Sequence, residues 1–204
     1  DENRQLVGIK TRFTANKTFS WEGSSGNTCL FGIQNFPRAS AKSITVCEGE
    51  IDTLAAFQMN GAKWPVVGVP SATALRSVKD HLEYLNSFEN IYLCMDNDEA
   101  GKKAKNDIAS LFEPGKCKIV DVAPLKDVGD WLSGGKAEEF VRRWWNAVAY
   151  TPDGIVRGSG LWEKLTTVDD TVCVPYPYAG LQDLTYGLRK QELVTITAGS
   201  GLGK

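Results

Sequence analysis

The 204-residue chain is poor in the side chains from which many sites are built. It has one histidine, His81, and its five cysteines (Cys29, Cys47, Cys94, Cys117 and Cys173) form no C-x-x-C pair. A structural zinc therefore lacks ligands, and the odd cysteine count argues against a disulfide framework. No apolar run approaches the roughly 18 residues of a membrane helix, and the start Asp1-Glu2-Asn3-Arg4 lacks a signal peptide's apolar segment. A cytosolic chain with no membrane partner is expected. Large charge of one sign is also missing. The net charge is −2, distributed as +2 over residues 1–40, −3 over 41–148 and −1 over 149–204. What is present, 42% hydrophobic and 24% charged residues, describes a globular chain and excludes disorder and collagen.

From Ser43 onward, short β-branched runs alternate with helical stretches. Strands are expected at residues 43–47, 65–69, 90–95 and 117–122, and helices at 51–60, 75–88, 99–112 and 137–148. This alternation specifies an α/β fold with a mostly parallel sheet covered by helices on both faces. Residues 1–42 differ. Leu6 to Phe13 and Thr18 to Glu22 alternate like strands, and Gly23-Ser24-Ser25-Gly26-Asn27 is a turn, which suggests a small β-rich subdomain. The expected organisation is thus 1–42 β-rich, 43–148 α/β, 149–172 linker and 173–204 the beginning of a further domain.

Reactive groups in open α/β sheets collect at the carboxyl ends of the strands. Glu48 follows the strand SITVC, Asp96 and Asp98 follow NIYLCM, and Asp127 follows CKIVDV by a short loop. Carboxylates gathered on one sheet edge repel one another unless a hard cation neutralises them, which points to Mg²⁺ or Mn²⁺. Asp98 has a second explanation, because it and Glu99 begin the helix at residue 99, where the dipole favours acids. Asp96 has no such alternative.

Cys47-Glu48-Gly49-Glu50-Ile51-Asp52, then Asp96-Asn97-Asp98-Glu99-Ala100-Gly101, then Lys126-Asp127, resemble in order and context the TOPRIM domain of primases, topoisomerases and some nucleases. Within that superfamily the chain resembles the phage bifunctional primase-helicases and the related mitochondrial helicase Twinkle, from about Gly8 to Lys204. The resemblance implies a TOPRIM-type sheet preceded by part of an RNA-polymerising domain. It implies Glu48 as general acid/base, Asp96, Asp98 and Asp127 as metal ligands, and Asp52 as possible support. For Asp52 and Glu50, an acid in the first turn of a helix is an equal alternative. It also implies a single-stranded DNA template, ribonucleoside triphosphates and a helicase domain as partners, in a phage-infected bacterium or, if Twinkle-like, a mitochondrion.

Lys10, Arg12 and Lys17 are candidate phosphate contacts in the basic front of the chain, with Lys102 a further candidate beside the acidic pair. Each is equally explained as a solvated lysine or arginine. Phe19 and Trp21 are expected in a core, and His81 on a solvent-facing helix surface. Glu192 to Thr197 is expected as a strand, followed by Ala198-Gly199-Ser200-Gly201-Leu202-Gly203-Lys204. This resembles a Walker A loop with Gly199, Gly201, Gly203 and Lys204 in place, Ala198 where the strict pattern has glycine and the next Ser/Thr missing, so helicase or ATPase activity is not expected of these residues alone. Two functions remain, a DNA primase and a non-catalytic TOPRIM scaffold that positions DNA for a helicase. The retained acids favour the primase. A topoisomerase would need a tyrosine-bearing domain for which there is no room.

Overall fold

The computed structural model describes residues 5–13, 15–16, 18–23, 29–69, 74–152, 155, 162, 173–190 and 192–202. The chain forms two compact units, Asp1–Ile155 and Val156–Lys204.

The first unit opens with an antiparallel hairpin, β1 (Gly8–Phe13) and β2 (Thr18–Gly23), which is a two-stranded sheet of its own. Then follow a 3-10 turn at Ile33–Asn35, β3 (Ser43–Glu48), α1 (Glu50–Met59), β4 (Val66–Val69), α2 (Ala74–Asp80) and α3 (Leu82–Asn86). The remainder is β5 (Asn90–Cys94), α4 (Glu99–Ala109), β6 (Cys117–Ile119), α5 (Val128–Ser133), α6 (Ala137–Trp145) and β7 (Val148–Ala149).

The main sheet runs β4-β3-β5-β6-β7, parallel except for β7, which pairs antiparallel with β6. Strand β3 lies inside the sheet between β4 and β5, and its residues Ile44, Thr45, Val46 and Cys47 are fully buried, as a strand covered on both faces requires. One core layer joins Ile44, Val46 and Leu93 to Val78, Leu85 and Ile108 of the helices. The opposite layer joins Cys47, Tyr92 and Cys94 to Ala56, Trp131, Phe140 and Trp144. Each buried aliphatic side chain contributes about 1.5–3 kcal/mol. The two buried indoles keep their donors satisfied: Trp144 Nε1 donates to Thr45 Oγ1 at 2.9 Å and Trp131 Nε1 to the Val122 carbonyl at 2.9 Å.

Several expectations are corrected. The single helix expected at 75–88 is two, broken at His81, whose backbone (φ −116, ψ 22) leaves the helical region. His81 is buried rather than solvent-facing, because its ring Nδ1 lies 2.7 Å from the Ser77 carbonyl oxygen, an acceptor that fixes the proton on that nitrogen. The last helix ends at Trp145, and Val148 forms β7, since β6 offers an open edge there. The short helix α5 was hidden in a six-residue stretch too brief to show a period.

In the second unit, Ala179–Thr185 forms α7, which Tyr186 closes in the left-handed conformation (φ 61). Val174 and Leu188 exchange backbone hydrogen bonds of 2.9 Å. Residues 192–197 are not a strand. A strand exists only with a hydrogen-bonded neighbour, and no described residue supplies one.

Candidate active site

The chain passes from β3 leftward to β4, returns across β3 to β5, then continues rightward to β6. The direction of winding thus reverses between β3 and β5, and a crevice opens at their carboxyl ends. Glu48 is the last residue of β3 and Asp96 lies two residues beyond β5. The Asp96 N–H donates to Glu48 Oε2 at 3.3 Å. Asp52, in the first turn of α1, accepts from the Gly129 N–H at 2.8 Å through Oδ1, while Asp127 Oδ1 accepts from the Asp130 N–H at 2.8 Å. Two carboxylates therefore grip the first turn of α5, and its orphan N–H groups and positive dipole end stabilise both.

Two glycines allow this convergence. Gly49 precedes α1 with φ 98, a conformation that lets the chain turn sharply between Glu48 and the helix. At Gly101 a Cβ would lie 2.2 Å from the Asp96 carbonyl oxygen, so α4 can sit against the Asp96 backbone only with glycine there.

Glu48, Asp52, Asp96 and Asp127 line one cleft of about 1020 Å³. Burial, then the charges of Glu48, Asp52 and Asp127, push the Asp96 carboxyl up to about 7, with Lys126 opposing. Burial also lifts Asp52 to about 6 against the Gly129 hydrogen bond, with Asp127 and Glu48 adding to the rise. Such crowding of half-buried acids suits a hard divalent cation. Among the described residues, no three Asp, Glu, His or Cys side chains surround a single ion position.

The expected residues separate into groups. Asp98 does not line the cleft; it is exposed, and its Oδ1 caps α4 by accepting from the Gly101 N–H at 2.8 Å. Lys102 is exposed and pairs with Glu99 at 2.8 Å. Lys10 and Arg12 do line the cleft, but the Lys10 ammonium is 2.7 Å from Glu50 Oε1. Phe19 and Trp21 line it as well, 48% and 39% exposed, so they are cleft wall rather than core. The hairpin has one side of its two-stranded sheet turned to the cleft, which the alternation alone does not distinguish from a core face. Lys126 is a cleft cation that the charge pattern did not single out, although its place beside Asp127 was a signal. Gly199 and Gly201 lie in an exposed turn, while Gly203, Lys204 and Lys17 fall outside the described residues.

Residues 45–132 match the family described as Toprim-like. Over its whole length the chain is 34% identical to a DNA helicase/primase of Enterobacteria phage T3, and spans 36% of that protein. The primase fragment of the bacteriophage T7 primase-helicase is 34% identical, with a TM-score of 0.64 over 71% of this chain and 60% of that one. A T7 primase domain, bound to an RNA/DNA hybrid and dTTP in a complex with the lagging-strand DNA polymerase, gives 34% identity and a TM-score of 0.66 over 74% and 76% of the two chains. The DnaG catalytic core, at 18% identity and a TM-score of 0.55, shares the fold. A strand-end crevice of carboxylates, in a sheet that superposes on these domains at 34% identity, places the chain in the TOPRIM primase family of the phage primase-helicases.

Proposed function

We propose that this chain is the RNA-polymerising part of a DNA primase, which condenses ribonucleoside triphosphates on a single-stranded DNA template. The observation that carries the reading is the crevice at β3 and β5, where Glu48, Asp52, Asp96 and Asp127 share one cleft with Arg12 and Lys126. The named relatives are primases or helicase/primases, and one is bound to an RNA/DNA hybrid and a nucleotide.

Asp96 and Asp127, with Asp98, are the residues that would hold Mg²⁺ or Mn²⁺. The capping bond of Asp98 engages Oδ1 and leaves Oδ2 for a ligand role. The bound cation supplies a lowered pKa for the primer 3′-hydroxyl and charge neutralisation for the triphosphate. Glu48, fixed against the Asp96 N–H, is placed to accept the proton that the 3′-hydroxyl loses. Asp52 and Asp127 hold α5 in place beneath the crevice. Arg12 and Lys126 both line the cleft, Lys126 near enough to Asp96 to act on its charge, and they attract polyanions without reading bases. Residues 173–204 begin a RecA-like motor, with Gly199 to Lys204 as its Walker A loop, in a protein whose helicase domain is the natural partner of this one.

A non-catalytic scaffold is the second reading, favoured by the exposed place of Asp98, whose Oδ1 caps α4 outside the cleft. Radiolabelled nucleotide incorporation on single-stranded DNA with Mg²⁺ or Mn²⁺ separates the two. Extension of a paired di- or trinucleotide should exceed unprimed synthesis by at least about tenfold, since alignment of one bound 3′-end replaces the capture of two free nucleotides. Extension that is absent under both metals would establish the scaffold.

A further inference from the structure

Of the cations that line the cleft, Lys10 and Arg12 come from the hairpin strand β1, whereas Lys126 comes from the loop between β6 and α5. The backbone of that loop is tied to the acid-bearing turn after β5. The Asn97 N–H donates to the Lys126 carbonyl at 2.7 Å, and Asn97 Nδ2 donates to the Leu125 carbonyl at 3.4 Å. Asn97 stands between Asp96 and Asp98, so the root of Lys126 is anchored beside that pair. Its other neighbour, Asp127, is held by the Asp130 N–H at 2.8 Å. Lys126 itself is exposed. A fixed backbone carrying a flexible lysine stem lets one ammonium serve more than one anion within its reach.

Glu48, Asp52, Asp96 and Asp127 share this cleft, and the charge of Lys126 opposes the rise that burial and the other acids impose on Asp96. An ammonium near enough to favour the Asp96 carboxylate also repels a divalent cation that approaches it, because the same field acts on a charge of the other sign. The triphosphate of a nucleotide is a stronger partner for the ammonium than one carboxylate. Once drawn to a triphosphate, the ammonium no longer stands against a metal at Asp96.

We propose that Lys126 couples nucleotide binding to metal binding: its ammonium lies toward Asp96 and weakens divalent-cation affinity in the free protein, then transfers to the triphosphate when nucleotide enters. Its ligand class is a polyphosphate, whatever the base. Metal and nucleotide each strengthen the binding of the other, by the same factor, as linkage requires. This inference rests on the primase reading for the identity of the polyphosphate, but both equilibria can be read without polymerisation.

The test uses Lys126→Met, which keeps an unbranched stem without the charge, and Lys126→Arg, which keeps the charge. Calorimetric titration with Mg²⁺ alone should show about threefold tighter binding in Lys126→Met, since an opposing charge is gone. ATP should bind that variant about threefold more weakly in EDTA and about tenfold more weakly in saturating Mg²⁺, the difference being the lost coupling. Inorganic triphosphate should show the same losses as ATP. Lys126→Arg should stay within about twofold of the native chain in every titration, because the charge is retained. A lysine that only supported the loop would weaken every ligand together, so tighter Mg²⁺ with weaker triphosphate separates the two roles. Unchanged or weaker Mg²⁺ binding in Lys126→Met would overturn the proposal, as would unchanged affinity for triphosphate. An equal loss of ATP affinity with and without Mg²⁺ would refute the coupling. If the titrations follow the expected pattern while the native chain extends no primer, the primase reading fails and the role of Lys126 stands.

Discussion

The Asp96 backbone N–H donates to the Glu48 carboxylate across 3.3 Å, joining the end of β3 to the turn after β5. Both groups sit where the sheet reverses its winding, so the two strand ends that carry the chemistry hold each other. The bond leaves the Asp96 carboxylate turned to the same cleft as Asp52 and Asp127, and the consequences of that crowding can be measured.

Metal affinity should depend unequally on the acids. Calorimetric titration with Mg²⁺ or Mn²⁺ should show at least about tenfold weaker binding for Asp96→Asn, through the loss of one charged ligand. Asp98→Asn keeps an N-cap acceptor for α4, since Asn caps as well as Asp, and so removes charge with little loss of stability. Weaker metal binding in that variant with an unchanged melting temperature would identify Asp98 as a ligand. Equal affinity in native chain and Asp96→Asn would remove the basis of the site.

Without metal, stability should fall as pH rises from about 4 to about 7. Asp96 and Asp52 are pushed up to about 7 and about 6 in the folded chain, above their ordinary value of 3.8. The native state therefore binds more protons than the unfolded state in that window, and ∂ΔG/∂pH of unfolding is negative there. Thermal melts in EDTA at pH 5 and pH 8 should show the loss. In Asp96→Asn the loss should shrink by about 1 kcal/mol, a figure discounted because Asp96 is partly open to solvent. Millimolar Mg²⁺ at pH 8 should raise the melting temperature of the native chain more than that of the variant.

Gly101→Ala should destabilise the chain by about 1–3 kcal/mol, the range for overpacking a close contact. The added methyl would lie 2.2 Å from the Asp96 carbonyl oxygen, against backbone that has no rotamer with which to yield. Denaturant titration measures the loss. A neutral result would mean that α4 can shift away from Asp96, and metal binding should then weaken too.

Thiol reagents should find the native cysteines in two classes. Cys47, Cys94 and Cys117 are buried, whereas Cys29 and Cys173 are partly exposed. Burial pushes Cys117 up to about 12, and a hydrogen bond with Cys94 followed by burial raises Cys47, so thiolate is scarce at both. Modification followed by mass spectrometry should label Cys29 and Cys173 first and the others only on unfolding.

By itself the sequence determined the α/β alternation, because β-branched runs such as Ser43–Glu48 and Asn90–Cys94 are local signals that burial on both faces reinforces. It also determined which acids stand at strand ends, since Glu48 closes the first run and Asp96 lies two residues beyond the second. Only the tertiary structure decided which side chains meet. Strand order made β3 and β5 neighbours and opened the crevice, and no residue pattern encodes that order. The cap that Asp98 gives α4 is local, three residues from Gly101, and was open in the sequence as the start of that helix, whereas Asp52 was drawn to α5, 77 positions away. Lys10 reads along the chain as an exposed strand lysine, yet its partner Glu50 comes from another element. Contacts between distant segments are chosen by packing, which fixes them only after the local elements exist.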